Sequence, residues 1–295
     1  MINVFKSDKK REEVLASYDH LLGLWGVDYD EVDLVTQFGT THCILSGDKT
    51  NPPLLMFHGV GDNSAVMWIL NIGELSKYFY CISVDTLGGP GKSIPNEQFT
   101  KATFNQVEWI NEVVSQLQIS HFNILGISNG AYMAYNYLTY ESKKVNRVVC
   151  LEGGMLIGNP IKNMLKTIFI MFPQILLPNR KNMIAILKKL SSPESNFINN
   201  CPEVVDHMIM VMKRHNQKAM FVHTIEKYHK EKGMAVRDKL YFLMGHYKLD
   251  RKREFVKALD DGQFKYKVIK GAGHGINHEQ PERVNAEIIQ YLLGD

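Results

Sequence analysis

The sequence predicts an α/β fold: a mostly parallel sheet flanked by helices and interrupted once by a helical insertion. Two patterns carry that prediction. Short continuous apolar runs recur along the chain and alternate with helix-period segments. Such runs suit strands buried on both faces. One stretch of roughly 80 residues holds no convincing strand, which is too long for an ordinary loop.

The elements follow in order. Residues 31–38 and 41–45 alternate apolar and polar side chains, as half-exposed strands do. Gly39-Thr40 between them predicts a hairpin turn. Residues 53–57 are a continuous apolar run, 79–84, 122–127, 145–151 and 240–244 repeat that predominantly apolar character, and 264–269 alternates and is expected nearer a sheet edge. Helical patterns cover 64–75, 104–117, 131–140, 250–259 and 281–293. This alternation implies parallel strands joined by right-handed crossovers. Between 155 and 237 the pattern breaks, with prolines at Pro160, Pro173, Pro178, Pro193 and Pro202. We expect a sheet core from 1–154 and 238–295, and a helical cap from 155–237 placed to cover a site. Met164, Ile168, Met171, Phe172 and Ile175 recur at helical spacing there; the stripe suits either core packing or an acyl pocket.

Composition narrows the function. The 295 residues are 45% hydrophobic and 22% charged, which fits a globular chain and excludes a collagen-like or disordered one. Lys plus Arg is 34 and Asp plus Glu is 31, a net charge of +3 that gives no case for nucleic acid. Cys43, Cys81, Cys150 and Cys201 form no C-x-x-C pair, so neither a zinc knuckle nor a redox motif is expected. The first three lie in strand-like runs and are read as reduced core residues. The N-terminus meets Lys9-Lys10-Arg11-Glu12-Glu13 without an apolar h-region, so no signal peptide is expected. The richest apolar stretch, 168–177, contains Pro173 and is shorter than the roughly 20 residues a bilayer needs. The expectation is a cytoplasmic protein with a small-molecule substrate and no membrane partner.

Three motifs carry chemistry. Gly126-Ile127-Ser128-Asn129-Gly130 follows an apolar run and precedes a helical pattern. G-x-S-x-G in that setting is a nucleophile elbow, exposing the Ser128 hydroxyl and aiming the Asn129 N–H at an oxyanion. His58-Gly59-Val60-Gly61 follows the third strand, where a glycine loop can bring the Val60 N–H to the same oxyanion. Gly271-Ala272-Gly273-His274 follows the last strand and puts a histidine where it can deprotonate the serine. His58, His246 and His278 compete for that role. Two other signals are declined. Gly88-Gly89-Pro90-Gly91-Lys92-Ser93 has Thr86 where a phosphate loop needs its first glycine, and Pro90 lacks a backbone donor. His207, His215 and His223 recur every eight residues, roughly 12 Å apart on a continuous helix, too far for one metal ion.

These motifs, with Val84-Asp85-Thr86-Leu87-Gly88-Gly89-Pro90 between them, come in the order of the α/β-hydrolase family, which the chain resembles over nearly its whole length. More narrowly, Thr36 to His42, Trp68 to Asn71 and Lys92-Ser93-Ile94-Pro95 look like the Bacillus carboxylesterase of the naproxen-esterase type. The resemblance implies an eight-stranded sheet with a cap after strand six. It also implies serine attack, an acyl-enzyme and hydrolysis of small apolar esters without metal or organic cofactor. Amide, lactone or carbon–carbon hydrolysis on the same fold is the alternative, as is a non-catalytic ligand-binding protein.

The chain departs from the family at the triad acid. Most relatives carry it after strand seven, about three residues beyond a glycine; here Gly245 is followed by His246-Tyr247-Lys248-Leu249-Asp250, and Lys248 holds that position. Lysine cannot accept a hydrogen bond from imidazole. Glu152, at the end of strand six where some family members carry the acid, is the preferred candidate. Asp250, two places late and readable as a helix cap, is the alternative.

Overall fold

The computed structural model describes residues 2–159, 165, 169–177 and 179–294; the side chains of Ile175, Asp250 and Arg251 lie outside that description. The sheet contains β1 (Tyr29–Thr36), β2 (Gly39–Ser46), β3 (Pro53–Phe57), β4 (Tyr80–Val84), β5 (Phe122–Ile127), β6 (Val145–Leu151), β7 (Leu240–Gly245) and β8 (Lys265–Ile269). Their spatial order is β1-β2-β4-β3-β5-β6-β7-β8, with Ile94–Pro95 adding a two-residue ladder to β2. The β1–β2 and β2–β4 pairings are antiparallel, and the pairings from β4 through β8 are parallel.

Alternate side chains of each central strand enter different cores, which is why these strands read as unbroken apolar runs. Leu55 and Phe57 join one cluster, with Trp109 of α2 (Gln106–Gln116) and Met133 of α3 (Asn129–Tyr140). Leu54 and Met56 join the other, with Trp68 and with Ile288 of the C-terminal helix Pro281–Leu293. Edge strand β8 alternates between exposed and covered positions, as its sequence predicts.

Helix α1 (Asp8–Gly23) went unforeseen. It buries Val14, Tyr18, Leu21 and Leu22, a single stripe diluted by charged neighbours, and Ser7 caps it by accepting from Lys10 N at 3.3 Å. The hairpin turn is at Gln37-Phe38, not Gly39-Thr40: Thr36 pairs with Gly39. Phe38 is drawn into the core against Phe104, and Thr36 Oγ1 closes the turn on Gly39 O at 2.7 Å. The predicted helix 64–75 is two short ones, Ser64–Met67 and Ile72–Leu75. At the break Asn71 turns its amide to Asn277 O (3.3 Å) and Asn285 Oδ1 (2.8 Å) near the C-terminus. The predicted helix 250–259 is a 3-10 turn, Leu249–Lys252, followed by a helix from Arg253 to Asp261, so Asp250 is not its cap.

Between β6 and β7 the described residues form α4 (Arg180–Leu190), a single turn of helix at Phe197–Asn200, α5 (Pro202–Arg214), α6 (Lys230–Val236) and 3-10 turns, with no strand among them. Continuing in chain order, α7 is Arg253–Asp261 and α8 is Pro281–Leu293. Met183 and Ile186 of α4 and Val204, Val205 and Ile209 of α5 pack with Leu21 and Val66. Met171 packs at the margin of this cluster, while Phe172 is half exposed. Met164 and Ile168 lie outside the described residues, as does the side chain of Ile175. Among the described residues no helix is long and apolar enough to cross a membrane.

Candidate active site

The sheet register brings the candidate residues to one edge. Ile127 of β5 pairs with Leu151 of β6, and Leu151 with Leu243 of β7. Ser128 and Glu152, each the next residue along its strand, therefore end neighbouring strands on the same side. Ser128 N donates to Leu151 O (2.8 Å), and Glu152 N donates to Leu243 O (3.0 Å).

Ser128 has φ 54° and ψ −112°, a conformation that costs a non-glycine residue energy and persists only where its surroundings enforce it. Two glycines do so. A Cβ on Gly126 would stand 2.2 Å from Gly130 O, and one on Gly130 would stand 2.1 Å from Phe57 O. Strand β5, the turn and helix α3 can approach this closely only without those side chains. Asn129 opens α3, so its N–H has no intrahelical acceptor. The loop after β3 lies alongside: Gly59 is so close that an added Cβ would contact the Ser128 Cβ at 3.5 Å. Val60 follows it and is exposed.

His274 lies beyond β8. Its Nδ1 is 3.2 Å from Glu152 Oε2, and its backbone N–H donates to Leu190 O (2.8 Å) at the end of α4. An ionised carboxylate only accepts, so in the neutral ring this contact selects the tautomer with the proton on Nδ1 and the lone pair on Nε2. No hydrogen bond joins His274 to the Ser128 hydroxyl in this structure; such contacts commonly tighten when substrate binds.

Glu152 is fully buried yet charged. Its Oε1 accepts from Gly245 N (2.5 Å) and from Lys252 Nζ (2.7 Å), and Lys252 also reaches Oε2 (2.5 Å). Burial alone would raise its pKa, but the His274 hydrogen bond and the Lys252 ammonium outweigh it and hold the carboxyl below its ordinary value. Glu152 also has φ 53°, a second strained position at this edge. Lys248 is left-handed and turns its ammonium to Lys189 O, away from acid chemistry. The side chain of Asp250, the alternative acid, is outside the described residues.

Two residues of this site carry no local sequence signal. Lys252 is one. Glu279 is the other: its buried carboxylate accepts from Gly273 N (3.1 Å) and Gly275 N (3.2 Å), on either side of His274, and from Ser192 N (2.6 Å). Burial raises its pKa against these three donors. The sequence shows it only as the approach to a helix.

The rings of two competing histidines, His58 and His278, are occupied. His58 Nδ1 donates to Gly59 O (2.8 Å) and Nε2 accepts from Thr86 N (3.0 Å), shaping the loop after β3. His278 Nε2 faces the carbonyls of Val66 and Met67 and stacks on Phe197. His246 is exposed, its backbone N–H on Ile269 O. The phosphate-like loop wraps the buried Asp85 carboxyl, which accepts from Ser64 N (2.9 Å) and Lys92 N (2.8 Å). His207, His215 and His223 pin the inserted segment to the core. His207 meets Asn63 Nδ2 (2.9 Å) and Ser17 Oγ (2.9 Å), His215 faces Gly88 O (2.9 Å), and His223 faces Leu87 O (2.8 Å). Among the described residues no group of three His, Cys, Asp or Glu could hold a metal ion. Cys43, Cys81 and Cys150 are free and buried.

Residues 52–179 match the family described as alpha/beta hydrolase fold. Over 137 residues the chain is 35% identical to carboxylesterase YbfK of Bacillus subtilis (strain 168), covering 46% of this chain and 45% of that one. The matched stretch thus spans about half the length of the curated relatives. The fold is similar to the crystal structure of carboxylesterase CesB (YbfK) from Bacillus subtilis, with a TM-score of 0.78 and 21% identity over 97% of this chain and 99% of that chain. It is also similar to naproxen esterase (carboxylesterase NP) from Bacillus subtilis, with a TM-score of 0.73 and 22% identity over 97% and 98% of the two chains.

Proposed function

We propose that this chain, which has the α/β-hydrolase fold, is a serine carboxylesterase acting on small apolar esters through an acyl-enzyme. The observation that carries the reading is the Glu152–His274 hydrogen bond at the sheet edge that bears the strained Ser128 turn. His274 Nε2 takes the Ser128 proton as the hydroxyl attacks the ester carbonyl, then returns it to the leaving alkoxide. Water, deprotonated by the same histidine, hydrolyses the acyl-enzyme. Glu152 fixes the ring and stabilises imidazolium as it forms. The N–H groups of Val60 and Asn129 receive the oxyanion. The inserted segment 155–237 acts as a cap over the site, and the setting is cytoplasmic.

The likeness to named carboxylesterases supports ester substrates over amides, lactones or carbon–carbon bonds. The non-catalytic reading rests on Lys248 standing where an acid is expected, and a buried carboxylate on His274 argues against it.

The test pairs a fluorophosphonate probe with turnover on a panel of acyl esters, amides and lactones. The wild-type chain should be labelled and should prefer esters. Ser128→Ala should abolish labelling and lower turnover by at least about 10⁴-fold, with melting temperature nearly unchanged. An unlabelled wild type, or turnover retained by Ser128→Ala, contradicts the proposal.

A further inference from the structure

A carboxylate and an ammonium meet at this site from neighbouring strand ends. The loop after β7 supplies Lys252, and the carboxylate of Glu152 comes from the end of β6. Lys252 Nζ is 2.5 Å from Glu152 Oε2, and His274 Nδ1 is 3.2 Å from the same oxygen. Those two distances, 2.5 and 3.2 Å, place ammonium and imidazole no more than 5.7 Å apart.

We propose that Lys252 is a positioning residue that tunes His274 through Glu152: its ammonium orients the carboxylate and offsets part of the negative charge that would otherwise favour a protonated ring. The inference rests on the serine, histidine and acid roles given above. A carboxylate shared with an ammonium holds imidazolium less firmly, so His274 remains an effective base further into acid. The surrounding charges do not duplicate this effect. Glu279, beyond the histidine, is committed to three backbone N–H groups. Lys248 is turned to Lys189 O, and Glu254 lies against Gly158. From β7, Glu152 receives the Gly245 N–H, a neutral donor.

A structural ion pair would affect stability and leave the pH profile alone, so the profile is the readout. Lys252→Gln keeps a donor at the carboxylate and removes the charge. Its kcat/KM profile should lose activity on the acid side about one pH unit earlier than wild type, the order expected for a unit charge within about 6 Å in a partly screened site. Lys252→Met, neutral and without a donor, should shift the same limb in the same direction. Lys252→Arg should restore the wild-type limb. Fluorophosphonate labelling at pH 8 to 9 reports separately on Ser128 and His274. Labelled neutral variants whose acid limbs superimpose on wild type overturn the role of Lys252 and leave the esterase reading standing. So does an arginine variant that shifts as far as the glutamine one. If wild type itself is unlabelled, the underlying reading fails instead.

Discussion

Ser128 and His274 belong to one candidate site but are held by different forces. Ser128 is held by sterics: strand register fixes its neighbours, and two glycines let β5, α3 and the end of β3 crowd around a strained turn. His274 is held by polar groups: Glu152 on its ring, Glu279 on both flanking amides, and Leu190 O on its own N–H. Steric support is inflexible and leaves a contiguous motif. Polar support is less tied to one place in the chain, because any element ending nearby can supply the carboxylate, and here it comes from the end of β6.

That difference predicts how each half fails. A substitution in the steric half should remove fold and activity together. Gly130→Ala puts a methyl 2.1 Å from Phe57 O, and backbone cannot yield cheaply. We expect a loss of more than about 3 kcal/mol in stability, measured by urea denaturation, with activity falling in parallel. A fully stable, active Gly130→Ala would break the comparison. A substitution in the polar half should instead reduce activity in a chain that stays folded.

A smaller effect sharpens the contrast between the sheet core and the inserted segment. Burial lowers His207, His215 and His223 to about 4, from an ordinary value near 6.5. The unfolded chain therefore binds more protons than the folded one as pH falls below about 6.5. The stability these residues contribute is complete above that pH and is lost progressively toward pH 4. Melting temperature should decline over this window, and limited proteolysis at pH 5 should cut first within 155–237. First cuts in the sheet core would show that the histidines do not govern the seam.

The sheet was legible because buried parallel strands must be largely apolar on both faces, and 53–57, 122–127 and 148–151 announce that directly. The Ser128 turn was legible because close backbone approach demands glycine at fixed spacing. Helix α1 was missed because its four buried apolar positions cannot dominate a segment bearing Lys9, Lys10, Arg11, Glu12 and Glu13. The hairpin was misplaced by two residues because Gly39 looked like the turn, while the burial of Phe38 set the register. Lys252 and Glu279 were invisible as site residues: a surface-type lysine and a helix-approach glutamate gain meaning only when β6, β7 and the His274 loop converge. The roles of His215 and His223 were not legible either, because their partners in the loop after β4 lie more than a hundred residues away.

The central claim is that Ser128, His274 and Glu152 act as one unit, and the acid is its most exposed point. Steady-state kinetics of Glu152→Gln and Asp250→Asn, measured side by side on one ester, test it most directly. Glutamine keeps the size of Glu152 but cannot fix the imidazole tautomer or stabilise imidazolium. Glu152→Gln should lower kcat by about 10²-fold or more, and Asp250→Asn should change it less than about fivefold. A crippled Asp250→Asn beside a nearly silent Glu152→Gln would contradict the account and return the acid to the loop after β7.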